Sequence, residues 1–278
     1  MNYVEDVSRV STGVDALDAA LQGGVPKGSW VAVTGEPGTG KSILCMHYAW
    51  AGLKEGDPVI YVTTEAEFRD VVRQARQFRM YFDDYEMHYL GGKPPFRKPQ
   101  IVVIDIFSLL KTAKQLSADI DEVERSRKYA ALEIDVLIAT IREAYRVLGL
   151  LEGGRKSPSK HVRLIIDSMS AFWADKPAMA RRFSYQLKIA THRENVTAFL
   201  VSQYAMTTKG TFGYGLEHIA DGVIHLWMDN VEVAKEVRRY LIIKKMRMTN
   251  HYEGAFRVII SPGEGILMKP VSGAAAGI

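Results

Sequence analysis

Five short runs are apolar at successive positions and rich in β-branched residues: 31–34, 59–63, 101–104, 164–166 and 198–201. Runs apolar on both faces are what strands of a parallel sheet, buried above and below, look like. Between them lie helix-length segments at 42–53, 66–78, 127–148 and 177–193, the third with apolar Leu132, Val136, Ala139 and Ile141. Strand–helix alternation predicts an α/β fold, a mostly parallel sheet with helices on both faces. Beyond residue 215 the pattern changes. Runs at 222–227, 240–243 and 255–260 follow one another across short turns, as in an antiparallel extension of the sheet. The segments 91–99 and 152–161 are expected to be surface loops. The charged 111–126 stretch is expected to be exposed or to form a lid. Neither a linker nor a repeat stands out, so one domain is expected over 1–271, with 272–278 a flexible tail or cloning scar.

Composition adds bounds rather than identity. The chain has 278 residues, 47% hydrophobic and 24% charged, which fits an ordinary globular protein. Its 36 basic and 32 acidic side chains nearly balance, and a formal charge of +4 does not by itself argue for a nucleic-acid partner. The single cysteine, Cys45, excludes an intramolecular disulfide and fits a cytoplasmic protein, where it is read as a packed small residue. The first ten residues carry Glu5 and Asp6 with no apolar run, and no stretch reaches the ~18 apolar residues of a spanning helix, so no membrane role is expected. The seven histidines show no metal-ligand spacing.

One motif carries specific chemistry. Gly35-Glu36-Pro37-Gly38-Thr39-Gly40-Lys41-Ser42 follows the first strand run and opens the first long helix, with Ile43 next. In that context the glycines let backbone N–H groups turn inward on phosphates, and the helix N-terminus adds positive potential. Lys41 neutralises the β- and γ-phosphates, and Ser42 offers a hydroxyl to Mg²⁺. ATP with magnesium is the expected ligand. A magnesium site also needs a carboxylate at a neighbouring strand end, and both Asp105 and Asp167 follow apolar runs. Hydrolysis needs a group that orients water. Glu65 stands at the end of the second run, on the edge where parallel sheets bind ligands, although Glu67 is equally placed for first-turn helix electrostatics.

At this point the residues resemble a family. Thr12-Gly-Val-Asp-Ala-Leu-Asp18, Gly23-Gly24-Val-Pro26-Lys-Gly28 and the phosphate loop are similar to the opening of RecA-type ATPases of the KaiC and archaeal RadA kind. Tyr61-Val-Thr-Thr-Glu65, Leu164-Ile-Ile-Asp167-Ser168, Gly213-Tyr-Gly-Leu-Glu217-His-Ile-Ala-Asp221 and Lys245-Met-Arg247-Met-Thr249-Asn-His251 extend the likeness over about residues 9–269. It is nearest to single-domain, KaiC-like archaeal RadA paralogues. The resemblance implies a RecA-like core, with Glu65 the catalytic glutamate and Asp167, rather than Asp105, the magnesium-associated aspartate. It makes Gln203 the γ-phosphate sensor. It further implies that Lys245 and Arg247 reach the nucleotide of a neighbouring subunit, with Thr249 and His251 near that nucleotide's sugar. A nucleotide-dependent homo-oligomer follows. KaiC carries two glutamates where this chain has Glu65 and Ala66; the recombinase pattern has one, so hydrolysis is expected to survive.

The resemblance also places two loops on a central channel. One spans 168–182 with Phe172, Trp173, Lys176, Arg181 and Arg182; the other spans 204–218 with Lys209, Phe212 and Tyr214, and with glycines at 210, 213 and 215. Cations interleaved with aromatics suit single-stranded DNA. Nothing before residue 9 matches the DNA-binding domain or linker of RadA recombinases, so the expected role is modulation of recombination or repair, with a recombinase or another repair protein as partner. The alternative is a KaiC-like regulatory ATPase acting through protein partners without DNA; a motor-accessory ATPase of the archaeal flagellum is a weaker option of that branch.

Overall fold

A computed structural model describes residues 7–93, 95–116, 133–150, 160–173, 179–203, 215–229 and 235–271. Chain order is β1 (Arg9–Val10), α1 (Asp15–Ala20), β2 (Val25–Pro26), β3 (Trp30–Gly35), α2 (Lys41–Glu55), β4 (Val59–Thr63), α3 (Phe68–Arg76), β5 (Met87–Tyr89), β6 (Ile101–Asp105) and α4 (Ile106–Leu116). Then come α5 (Ile134–Val147), β7 (Val162–Asp167), α6 (Ala180–Thr191), β8 (Val196–Gln203), α7 (Leu216–Ile219), β9 (Gly222–Met228), β10 (Arg239–Met246), β11 (Phe256–Ser261) and β12 (Gly265–Pro270). Among these residues one sheet of ten strands runs β12-β11-β10-β9-β3-β8-β7-β4-β6-β5, and β1 pairs with β2 in a separate ribbon. This is the expected RecA-like α/β architecture.

The central strands β3, β4, β6, β7 and β8 are buried at nearly every position because helices cover both faces. Val31, Val33, Tyr61, Ile165, Phe199 and Val201 join the cluster under α1, α2 and α3. Trp30, Ala32, Ile60, Val62, Leu164, Ile166, Ala198 and Leu200 join the one under α5 and α6. Strand alternation sends neighbours to opposite faces, so a continuous apolar run fills two cores at once.

Four expectations change. The run at 222–227, expected in the antiparallel extension, forms β9 parallel to β3, with Val33 opposite Ile224 and Gly35 opposite Leu226; the reversal begins one strand later, at β10. Periodicity cannot detect this, because a half-buried strand reads alike in either direction. Residues 111–116 belong to α4 rather than to a lid, and 117–126 lie outside the described residues. The 66–78 helix starts later, at Phe68, because Thr63 and Glu67 hold the turn before it: the Thr63 hydroxyl donates to the Ala66 carbonyl at 2.6 Å. The helices expected over 127–148 and 177–193 are observed as α5 and α6, their first residues lying partly outside the described ones, as do most of 152–161 and all of 272–278. Four strands lie outside the expected runs: the short edge strand β5, β12, and the two-residue strands β1 and β2, which pair with each other. Among the described residues no helix is long and apolar enough to cross a membrane.

Two buried cations or near-cations brace this frame. The Arg163 guanidinium, fully buried, donates to Glu55, Asp57 and the carbonyls of Ser11 and Tyr48, tying β7 to α2 and the N-terminal segment. His47 on α2 is 7% exposed; Nδ1 lies 3.0 Å from the Gly13 carbonyl and Nε2 accepts the Ile266 N–H at 2.9 Å. That pairing requires the neutral ring, and burial lowers its pKa to about 4. A folded-state value below the unfolded one means stability is full above about pH 6.5 and is lost as pH falls through the window down to about 4. The loss assignable to His47 is about 3 kcal/mol. Asp167, raised to about 6, acts in the opposite sense. The check is therefore the difference between wild type and His47→Gln in denaturant midpoint at pH 7 and pH 4.5: the variant's midpoint should fall less. Equal shifts would remove His47 from the acid response.

Candidate functional site

Adjacent parallel strands β3, β8, β7 and β4 end side by side, Gly35 opposite Gln203 and Thr63 opposite Asp167, which brings the phosphate loop, Gln203, Asp167 and Glu65 to one edge of the sheet. Ligands bind at this carboxyl edge in open parallel sheets. The loop leaves β3 at Gly35, where φ is +145° and a Cβ would stand 2.0 Å from the Leu226 carbonyl oxygen, so only glycine fits. It enters α2 at Gly40, φ +106°. Glu36, Pro37, Gly38 and Thr39 lie between, and the Thr39 hydroxyl donates to the Glu36 carbonyl at 2.8 Å. Lys41 and Ser42 form the first turn of α2, while Ile43 is buried in the core and anchors it. Lys41 is 6% exposed and its Nζ donates to the Glu36 carbonyl at 2.6 Å. Burial lowers its pKa, opposed by the carboxylates of Asp167 and Glu65.

Asp167 closes the opposite wall. Burial raises its pKa to about 6, with Glu65 adding to the rise and the Ser42 hydroxyl and Lys41 countering it. Ser42 and Asp167 thus stand side by side in the wall of the cleft. Asp105 serves elsewhere: it accepts the backbone N–H groups of Ser108 (2.8 Å) and Phe68 (2.9 Å), a cap joining α4 to α3. Glu67, the rival to Glu65, is held on the surface by Arg69 and Lys111.

Glu65 is oriented from two sides. Its Oε1 accepts from Ser168 Oγ at 2.5 Å, and Gln203 Nε2 stands 2.7 Å from both carboxylate oxygens. Behind it, Thr64 Oγ1 donates to the Ser168 carbonyl and accepts the Ser168 N–H, and Ser170 Oγ accepts the Gln203 N–H. The ends of β4, β7 and β8 are therefore locked together immediately behind the carboxylate.

These residues line a cleft of about 400 Å³ with Pro37, Gly38, Gly40, Gln74, Val201, Arg239 and Ile260. The donor set suits a nucleoside triphosphate with magnesium: a curled glycine loop at a helix N-terminus, an ammonium, and a hydroxyl beside a carboxylate. Arg239 escaped sequence reading. It begins β10, carries no motif, and reaches the loop only because that strand returns antiparallel; its Nε donates to the Gly38 carbonyl at 2.8 Å. Ser168 was visible only as the neighbour of Asp167. A larger cleft, about 480 Å³ between Gly56, Lys98, Gly149 and Lys160, lies at the opposite strand ends against helix C-termini and holds no comparable group.

Other sequence-derived residues are not brought to this cleft. Lys245 and Arg247 lie at the far end of β10, where Met246 pairs with Gly222, whereas Arg239 pairs with Met228. Six residues of strand put Lys245 about 20 Å from the phosphate loop of its own chain. Lys245 Nζ donates to the Ala220 carbonyl at 2.6 Å, and Arg247 pairs with Asp221. Thr249 meets Gln22, and His251 meets the Tyr252 carbonyl, at that same far end. Arg181 and Arg182 are exposed on the first turn of α6. A Cβ at Gly215 would stand 2.5 Å from Arg181 Cβ, so the two candidate DNA loops converge there. Lys176, Lys209, Phe212 and Tyr214 lie outside the described residues. Phe172 and Trp173 are buried, 5% and 1% exposed, and pack in the core under α5 and α6 instead of offering faces to bases. Cys45 is buried, which pushes its thiol pKa well up and leaves an inert packed residue.

Comparison with known proteins places the chain in a family and agrees with its fold. The family model described as "ATPase: KaiC" matches residues 10–272. A UPF0273 protein of Thermotoga maritima is 34% identical over 245 residues, 88% of this chain and 89% of the relative. One from Aeropyrum pernix is 35% identical over 248 residues, 88% and 87% of the two chains. The crystal structure of a KaiC-like protein from Pyrococcus horikoshii superposes with a TM-score of 0.67 at 26% identity, covering 95% of this chain and all of that one.

Proposed function

From the premise that the chain belongs to the KaiC family of ATPases, we propose that it is a magnesium-dependent ATP hydrolase whose site is completed by a second copy of itself. The observation that carries this reading is the pair of distances from Gln203 Nε2 to Glu65, 2.7 Å each, which aims a carboxylate from β4 into the phosphate cleft. The loop from Gly35 to Ser42 cradles the triphosphate, and Lys41 leaves the Glu36 carbonyl for the β- and γ-oxygens. Ser42 and Asp167 would hold magnesium, which would supply charge neutralisation to the triphosphate. Glu65 accepts the proton of the attacking water in line with the γ-phosphorus. Gln203 stands where it bonds Glu65 or a γ-phosphate oxygen and so reports which is present.

Lys245 and Arg247, remote from their own loop, act on a neighbour's nucleotide, with Thr249 and His251 beside its sugar. Cations placed in trans stabilise the charge of the transferring phosphoryl group and make hydrolysis depend on assembly. Such a contact is heterologous and builds a ring or a helix. Both halves fall within the proposed single unit over 1–271, and the proposed location is the cytoplasm.

Single-stranded DNA is the proposed effector, in a role that modulates recombination or repair, because Arg181 and Arg182 are exposed on the first turn of α6 and Arg181 lies against Gly215 of the second candidate loop. Alanine at both arginines is expected to weaken single-strand binding roughly tenfold at low salt and to flatten its salt dependence. ATP turnover without DNA should be unchanged. Wild-type protein that shows no single-strand binding at low salt, with an ATPase indifferent to DNA, would instead favour the second reading, a nucleotide-switched partner of other proteins. That reading is favoured by the burial of Phe172 and Trp173, which removes two of the stacking residues DNA would use.

A further inference from the structure

We propose that Asp221 is the positioning residue that presents Arg247, and through the same turn Lys245, to the nucleotide of a second copy of this chain; the inference rests on the composite-site reading above. Asp221 sits between α7 and β9, at the sheet edge opposite the phosphate loop. Its backbone and one carboxylate oxygen are spent on fixing the residue: its N–H donates to the Trp30 carbonyl at 2.7 Å, and Oδ2 accepts the Trp30 N–H at 3.0 Å. Oδ2 also accepts Lys188 Nζ from α6 at 2.9 Å. The other oxygen, Oδ1, is directed outward to Arg247 NH1 at 3.3 Å, and the Asp221 carbonyl accepts the Arg247 N–H at 2.9 Å.

A staple at the start of β3 needs only Oδ2. The second oxygen restrains a guanidinium whose side chain is 57% exposed. A free arginine would sample many rotamers and lose that freedom on engaging phosphate. Tethered at one N–H, it keeps its remaining donors for an incoming oxyanion. Lys245 is held by the adjoining residue, through Ala220 and, more weakly, the Glu217 carbonyl. The two cations therefore leave one rigid turn as a pair. Burial works to raise the Asp221 pKa, but the Trp30 N–H, Lys188 and Arg247 outweigh it and hold the carboxyl below the usual range, so the restraint stays charged. Lys188 lies on α6, whose first turn carries Arg181 and Arg182, so Asp221 is tied to the helix that bears the proposed DNA face.

The test uses Asp221→Asn, which keeps an oxygen for the Trp30 N–H and removes the charge. The expected result is a kcat lower by about tenfold or more with ATP KM changed less than about twofold, and unchanged nucleotide binding and thermal melting. Asp221→Glu, which keeps the charge, should recover part of kcat. The decisive measurement mixes chains. Glu65→Gln supplies intact cations but no base; Asp221→Asn supplies the base but misplaced cations. Mixed in equal amounts, random pairing makes about a quarter of the interfaces competent, and activity should return to that order. Glu65→Gln mixed with Arg247→Ala is the control. If neither pair recovers activity, the composite site is wrong and the inference falls with it. If the control recovers and the Asp221→Asn pair does not, or if Asp221→Asn loses nucleotide binding or melts early, Asp221 supports only its own chain and the proposal is overturned.

Discussion

Glutamine at position 65 is expected to leave ATP bound and to lower kcat by about 10²–10⁴. The carboxylate is held by Ser168 and Gln203 at hydrogen-bond distance, so its position is set by the ends of three strands. Glutamine keeps the shape and one acceptor oxygen for Gln203, and it removes the carboxylate proposed to accept the proton of the attacking water. It also removes a negative charge beside Asp167 and the triphosphate, so nucleotide affinity should hold or rise slightly. Equilibrium binding of a fluorescent ATP analogue, measured beside phosphate release, separates the two effects. Hydrolysis preserved in Glu65→Gln would falsify the base assignment.

Lys41→Ala has the second large effect, on binding itself. The ammonium is buried against Glu36, with Asp167 and Glu65 close enough to oppose the fall in its pKa. It is the positive charge in the wall of the cleft nearest to two carboxylates, and without it a triphosphate would enter a negative site. Losing its charge-assisted bonds should weaken ATP at least about 100-fold, close to 3 kcal/mol. Calorimetric titration with and without magnesium checks this. Affinity within a factor of a few of wild type would mean that the phosphates lie elsewhere.

Much of this is legible in the sequence, for physical reasons that differ by residue. Lys41 and Ser42 are local: one loop, one strand and one helix define them, and all three are contiguous in the chain. Asp167 and Glu65 come from strands far apart in sequence. Apolar runs located the strand ends, but two aspartates fitted equally, and what separates them is tertiary. Asp105 is consumed by two backbone N–H groups, whereas Asp167 faces Ser42. Arg239 was invisible because its placement depends on the direction in which β10 returns, and hydrophobic pattern carries no direction. The same blindness put β9 in the antiparallel set. Phe172 and Trp173 show the converse: in sequence they read as stacking residues beside basic ones, and in the fold they complete the core.

The central claim is that one chain supplies the phosphate loop, Asp167 and Glu65 and the next supplies Lys245 and Arg247. Steady-state ATP hydrolysis per chain, followed across protein concentration, tests it most directly. The composite site predicts specific activity that rises with concentration and saturates as chains associate, with Arg247→Ala remaining low throughout. Specific activity independent of concentration, in a protein that stays monomeric and is indifferent to Arg247→Ala, would contradict it.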